Sequence, residues 1–166
     1  MLPASFFVAC LPEASMQETH NHRIKAWWTS GRTGIANCDS SPSAIHFTAP
    51  PQFGGLEGRW TPEDLLLTAI GSCFATTFRA LADYSKLAYA DLEVEVAGSV
   101  EKASSGYAFK NIVTRPLLTT APATDHERAL RLLQKTQDLC LITRAIAVTH
   151  SFEPTIRSAE TASTTQ

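Results

Sequence analysis

From Arg23 onward the apolar positions first fall at the period of a strand. Arg23-Ile24-Lys25-Ala26-Trp27-Trp28 and Thr33-Gly34-Ile35-Ala36-Asn37-Cys38 flank Ser30-Gly31-Arg32, the pattern of a β-hairpin with glycine at its turn. Ser43 to Thr48, with Ile45 and Phe47 alternating, predicts a third strand. A loop over 49–60 follows, rich in Pro50, Pro51, Gly54, Gly55 and Gly58, and loops of that length inside a compact domain tend to be functional. At Thr61 the period changes. Thr61 is a good N-cap, Pro62 suits the first helical position, and Asp64 can cap back. Leu65, Leu66, Leu67, Ala69, Ile70, Phe74, Phe78, Leu81 and Ala82 then cover most of a helical circumference. This predicts a helix from Pro62 to about Ser85, buried from several sides and carrying Cys73 in its body.

Strand periodicity returns over Asp91 to Lys102, where Leu92, Val94 and Val96 alternate with Glu93 and Glu95. Ser104-Ser105-Gly106 turns this strand into a second one, Tyr107 to Leu118, and Pro116 should put its end at an edge or a bulge. Thr124-Asp125-His126-Glu127 reads as a capping box opening a second helix with Ala129, Leu130, Leu132, Leu133 and Leu139 as its apolar positions. Leu141 to Ile146 predicts a short helical turn, and Ala147 to Ile156 a closing strand. The expected organisation is an N-terminal extension over 1–22, one α+β domain over 23–157, and a small, polar, disordered tail over 158–166.

Composition narrows the classes. The 166 residues suit one domain with a sizeable core. A net charge of -2 and a pI near 6.2 give no electrostatic footprint for nucleic acid or an anionic membrane. No run of 18 apolar residues occurs, so no membrane-spanning segment is expected. The apolar run between Leu2 and Leu11 has no basic residue before it and is short for a signal peptide. Phe7-Val8-Ala9-Cys10 is faintly similar to a lipoprotein cleavage site, whereas Met16 as the natural start would remove the segment altogether. His20 and His22 could hold a metal only weakly. Four cysteines, Cys10, Cys38, Cys73 and Cys140, are too few and too scattered for a disulfide scaffold or a structural zinc site. A cytoplasmic, reducing setting is the expectation.

A cysteine becomes a nucleophile when its thiolate is stabilised. Cys73 lies about three turns into its helix, beyond the reach of the N-terminal dipole. Arg32, on its hairpin turn, is the candidate cation, against its being an ordinary solvated turn residue. Glu63 could hold the guanidinium in one orientation. Ten residues separate Glu63 from Cys73, roughly 15 Å along an unbroken helix. Either the helix breaks, at Gly71 for instance, or two chains pair their helices antiparallel and share each site. Cys140 offers a second thiol. Two adjacent thiols would permit a peroxidatic cycle; two unrelated buried cysteines, a metal held by Cys73, Cys140 and a histidine, or a Cys-His hydrolase using His46, His126 or His150 are the alternatives.

Pro62-Glu63-Asp64-Leu65 followed by Cys73-Phe74 resembles the central-helix signature of the OsmC/Ohr family (osmotically inducible protein C and organic hydroperoxide resistance proteins). Asp138-Leu139-Cys140-Leu141-Ile142-Thr143-Arg144-Ala145 resembles its second cysteine motif, and Gly31-Arg32-Thr33-Gly34-Ile35-Ala36 is similar to the hairpin bearing its arginine. The resemblance covers roughly residues 23–157 and is nearer the general branch than the dedicated hydroperoxide-resistance branch. It implies an α+β fold in which antiparallel sheets wrap around long central helices in an intertwined homodimer. It implies a peroxidase that reduces organic hydroperoxides, with Cys73 peroxidatic, Cys140 resolving, Arg32 orienting the peroxide and Glu63 holding Arg32. Ile70, Phe74, Trp60 and Phe53 would form the substrate wall. No bound cofactor or metal is implied; an external dithiol, of the lipoyl type carried on proteins, would recycle the Cys73–Cys140 disulfide. Leu141 and Thr143 stand where relatives commonly have Pro and Ser. A non-enzymatic relative binding a small hydrophobic ligand between chains is the competing expectation.

Overall fold

Three antiparallel strands open the chain: β1 (Ile24–Ser30), β2 (Thr33–Cys38) and β3 (Ser41–Thr48), hydrogen-bonded in that order. The computed structural model describes residues 19–159, so Cys10, Met16 and all but the first two residues of the expected tail lie outside the described residues. Gly31 makes the β1–β2 turn possible. Ser30 pairs with Thr33, leaving a two-residue loop whose first position has φ +53°, where a side chain would be strained. The Trp28 indole N–H donates to the Gly31 carbonyl at 2.8 Å, and the Thr33 hydroxyl to that of Ser30 at 2.7 Å.

Thr48, fully buried, ties the following loop to this hairpin. Its hydroxyl donates to the Arg32 carbonyl (3.2 Å) and accepts from the Leu56 amide (3.0 Å), while its own amide donates to the Trp60 carbonyl (2.9 Å). All of these groups would cost stability if buried without partners. Within the loop, Pro51–Phe53 forms a single 3₁₀ turn.

The central helix α1 (Pro62–Ser85) starts as its sequence predicts: the Thr61 hydroxyl accepts from the Asp64 amide, and the Asp64 carboxylate accepts from the Thr61 amide at 2.9 Å. Such caps contribute about 1 kcal/mol. The helix runs unbroken through Gly71, which removes the expectation of a break between Glu63 and Cys73. Its fully buried positions are Ile70, Phe74, Phe78 and Ala82, spaced by four. A single chain therefore buries one stripe of α1, not the several sides its sequence predicts. Length and a mean hydropathy of 1.5 would also suit a bilayer span. That placement conflicts with the fold, since it would carry open sheet edges into hydrocarbon.

β4 (Tyr89–Ala103) and β5 (Gly106–Thr120) form the long antiparallel hairpin. The expected closing strand is instead two, β6 (Thr149–Phe152) and β7 (Thr155–Ser158), broken at Glu153-Pro154. Both run parallel to β5, so this sheet is mixed rather than purely antiparallel. They occupy 111–114 and 117–120 of β5, and Pro116 lies opposite the gap between them. Pro116 thus sits inside the strand, not at its end, because the gap asks for no hydrogen bond where proline has none to give.

α2 (His126–Leu139) is capped by Asp125, whose carboxylate accepts from the Glu127 and Arg128 amides. The cap is one residue later than the Thr124 box predicts, because the Thr124 hydroxyl donates to the Ala88 carbonyl instead (3.1 Å). A short helix, α3 (Leu141–Ala145), follows directly from Cys140. Phe74, Phe78 and Ala82 of α1 close a core with Leu87, Leu118, Ala129 and Leu133, and Phe78 meets Tyr89 edge-on at 5.2 Å.

Candidate active site

Cys140 ends α2 and opens α3, and its side chain is fully buried. α3 packs against α1 at the level of Cys73, which is half-buried. Burial alone would push the Cys73 thiol up. Four neighbouring groups, the Ile142 amide, the Cys140 thiol, the Leu141 amide and the Thr77 hydroxyl, reverse this and hold it below the ordinary cysteine value. Those amides belong to the first residues of α3, which have no carbonyl four residues back inside the helix to bond. The Thr143 hydroxyl in turn donates to Cys140 Sγ at 3.2 Å. Cys140 thus carries the Thr143 hydroxyl on its sulfur and has Cys73 as its neighbour, the first thiol inaccessible and the second partly accessible.

Thr77 was not singled out in the sequence, and Thr143 only as standing where relatives commonly have Ser, although their spacing offers a signal. Thr77 is one turn beyond Cys73 on the same helix, and Thr143 is three residues beyond Cys140. The two amides carry no sequence signal, because their role depends on how α3 docks.

Arg32 and Glu63 are not brought to the thiols within one chain. Arg32 is exposed at its turn, beside a shallow cleft of about 470 Å³ lined also by Trp27, Trp28 and Phe47. Glu63, in the first turn of α1, is half-buried, and its Oε2 is fully buried without a hydrogen-bond partner. Among the described residues neither makes an ion pair. An uncompensated buried carboxylate oxygen is costly, which marks Glu63 as incomplete in the single chain.

The four residues expected around a substrate are scattered as well. Ile70 and Phe74 are fully buried, Phe74 tilted against Phe152 at 5.8 Å. Phe53 packs edge-on against Tyr107 at 4.9 Å. Trp60 is exposed and lines a cleft of about 530 Å³ with Arg59, Asp64, Thr68, Ser72 and Val96; neither cysteine reaches it. The histidines lie elsewhere. His150 Nε2 meets the Thr114 hydroxyl at 2.8 Å, and burial holds its pKa down. His126 Nε2 meets the Ser158 hydroxyl at 2.9 Å. His46 is exposed on β3. Among the described residues no three His, Cys, Asp or Glu side chains gather so as to hold a metal ion.

Two thiols paired across a helix junction on a two-sheet α+β frame define the class. Residues 55–153 match the model of the OsmC-like protein family, and the chain belongs to that family. It is 28% identical over 130 residues to YmaD of Bacillus subtilis, a protein described as uncharacterised, covering 76% of this chain and 87% of that one. Among solved structures, an OsmC-like protein of unknown function from Vibrio cholerae superposes with a TM-score of 0.73 at 17% identity, covering 82% of this chain and 99% of that one. An organic hydroperoxide resistance protein from Legionella pneumophila gives 0.68 at 18% identity, covering 84% and 98%.

Proposed function

We propose that the protein is a cysteine-based peroxidase that reduces organic hydroperoxides to alcohols, in keeping with the hydroperoxide-resistance proteins among its structural relatives. The observation that carries this reading is that the Cys140 thiol neighbours Cys73, whose own thiol is held below the ordinary cysteine value by the groups around it. A lowered thiol attacks peroxides as its thiolate, and an adjacent thiol is placed to trap the product.

The Cys73 thiolate attacks the distal peroxide oxygen. The O–O bond breaks, the alkoxide takes a proton and leaves as alcohol, and Cys73 becomes a sulfenic acid. Cys140 then attacks that sulfur, its proton leaving with the hydroxyl as water, and a Cys73–Cys140 disulfide forms. An external dithiol of the lipoyl type restores both thiols by exchange. No bound cofactor enters the cycle.

The working unit of this proposal is a homodimer. Arg32 is exposed, Glu63 holds an unpaired buried oxygen, and β1 is exposed along its length. A second chain laid against α1 would bring its arginine to a carboxylate that lacks a partner, and would cover Ile24 and Trp28.

One equivalent of an organic hydroperoxide should convert the reduced protein to a form lighter by two hydrogens, with Cys73 and Cys140 linked in its peptide map. Both cysteines remaining free to alkylate after such treatment would overturn the proposal.

A further inference from the structure

The two sulfurs of the candidate site differ in a way that the forward reaction does not use. Cys140 is fully buried, whereas Cys73 keeps part of its surface open. The Thr143 hydroxyl donates to Cys140 Sγ at 3.2 Å, and Cys73 has no hydroxyl donor from α3. This hydroxyl plays no part in activating the attacking thiol directly. It is placed to stabilise charge on the buried sulfur.

Charge appears there when a disulfide between these residues is opened. Exchange requires a thiolate to approach one sulfur in line with the bond that breaks, and the other sulfur departs as a thiolate. Access therefore selects the sulfur attacked, and stabilisation of the departing thiolate helps set the rate. Both criteria agree here: Cys73 is the reachable sulfur, and Cys140 is the one with a hydroxyl donor of its own.

We propose that an external dithiol opens the disulfide by attack on Cys73 Sγ, with Cys140 departing onto the Thr143 hydroxyl. One thiolate of the dithiol bonds to Cys73 Sγ as the S–S bond breaks, and the Cys140 thiolate leaves and takes a proton. The second thiol of the reductant, deprotonated, then attacks its own mixed-disulfide sulfur. Cys73 is released as the thiolate that its amide donors favour, and the reductant departs as a cyclic disulfide. The two electrons come from the dithiol, and both protein sulfurs end reduced. Thr143 is a positioning residue in this scheme: it touches neither peroxide nor reductant, and acts through Cys140.

The inference rests on the disulfide of the peroxidase reading, but its test can be separated from that reading. The disulfide is made with diamide, an oxidant that needs no peroxidatic activity. The product is then exposed briefly to dilute 2-mercaptoethanol, a monothiol that cannot cyclise and clears the mixed disulfide only through a second molecule, and quenched in acid before alkylation. The peptide map should show the mercaptoethanol adduct on Cys73 and the alkyl group on Cys140; the reverse arrangement would overturn the proposal. Thr143→Val should slow opening of the disulfide about tenfold, the loss expected when a hydrogen bond to a charged sulfur is removed, and Thr143→Ser should restore it. Equal opening rates in the wild type and Thr143→Val would remove Thr143 from the scheme. Failure of hydroperoxide to form the disulfide, with the diamide map as expected, would sink the peroxidase reading and leave the order of opening intact.

Discussion

The two halves of the molecule meet their hydrophobic demands differently. In the C-terminal half, β4 to β7, α2 and one stripe of α1 close a core in which Phe74, Phe78, Leu118 and Leu133 are fully buried. In the N-terminal half, the β1–β3 sheet leaves Trp28 at 70% and Ile24 at 66% exposure, and the remaining face of α1 lies open. The difference teaches what each half is for. The closed half fixes Cys73 and Cys140 against one another within a single chain. The open half carries Arg32, and neither it nor Glu63 in the first turn of α1 finds a charged partner within the chain. In the homodimer proposed above, such a site would keep its two thiols within one chain and draw its arginine from the other.

Phe78 is fully buried and touches Tyr89 edge-on, so Phe78→Ala should cost about 3–5 kcal/mol of stability, read as a lowered midpoint in urea. A cost below about 1 kcal/mol would mean that the closed half is not the stability core. The next largest effect concerns the divided charge. Arg32→Ala and Glu63→Ala should each lower hydroperoxide turnover about 100-fold, the scale for removing one electrostatic stabiliser from a reacting centre. If one chain's arginine serves the other's carboxylate, unfolding the two variants together and refolding them should recover part of the activity in mixed dimers. No recovery from the mixture, with both variants folded, would place Arg32 and Glu63 in one chain's site.

A smaller effect is expected at the open sheet. Trp28→Lys should weaken the dimer about tenfold or more by placing a charge in an apolar contact, and light scattering should show the mass falling toward the 18.0 kDa of one chain. An unchanged mass would leave that face without the proposed occupant. The smallest effect is on the thiol. Thr77→Val should move the pH midpoint of Cys73 alkylation upward, since one of the groups that hold it down is lost. The sign for stability follows by linkage. The folded pKa of Cys73 lies below its unfolded value, so its thiolate adds no stability at low pH. The contribution grows as pH rises through the folded pKa and is complete above the unfolded one.

Much of this frame was legible in the chain. The Thr61–Asp64 capping box and the Ser30–Thr33 turn depend on local residues alone, and both form as their spacing predicts. The errors lie where tertiary pairing decides. Pro116 looked like the end of a strand because the gap between β6 and β7 is set by Glu153-Pro154, far along the chain. The cap of α2 moved to Asp125 because Thr124 found the Ala88 carbonyl. At the candidate site, the proximity of Cys73 and Cys140 agrees with the motifs, whereas the amides of Leu141 and Ile142 could not be read from residue types. Any residue but proline carries that N–H, and only the docking of α3 aims it.

The central claim is that Cys73 is the attacking thiol of a dithiol-recycled peroxidase. Its most direct test follows consumption of an organic hydroperoxide under excess dithiol reductant, comparing the wild type with Cys73→Ser. The wild type should sustain turnover, and Cys73→Ser should fall to the protein-free rate. Equal rates in the two proteins would contradict the claim.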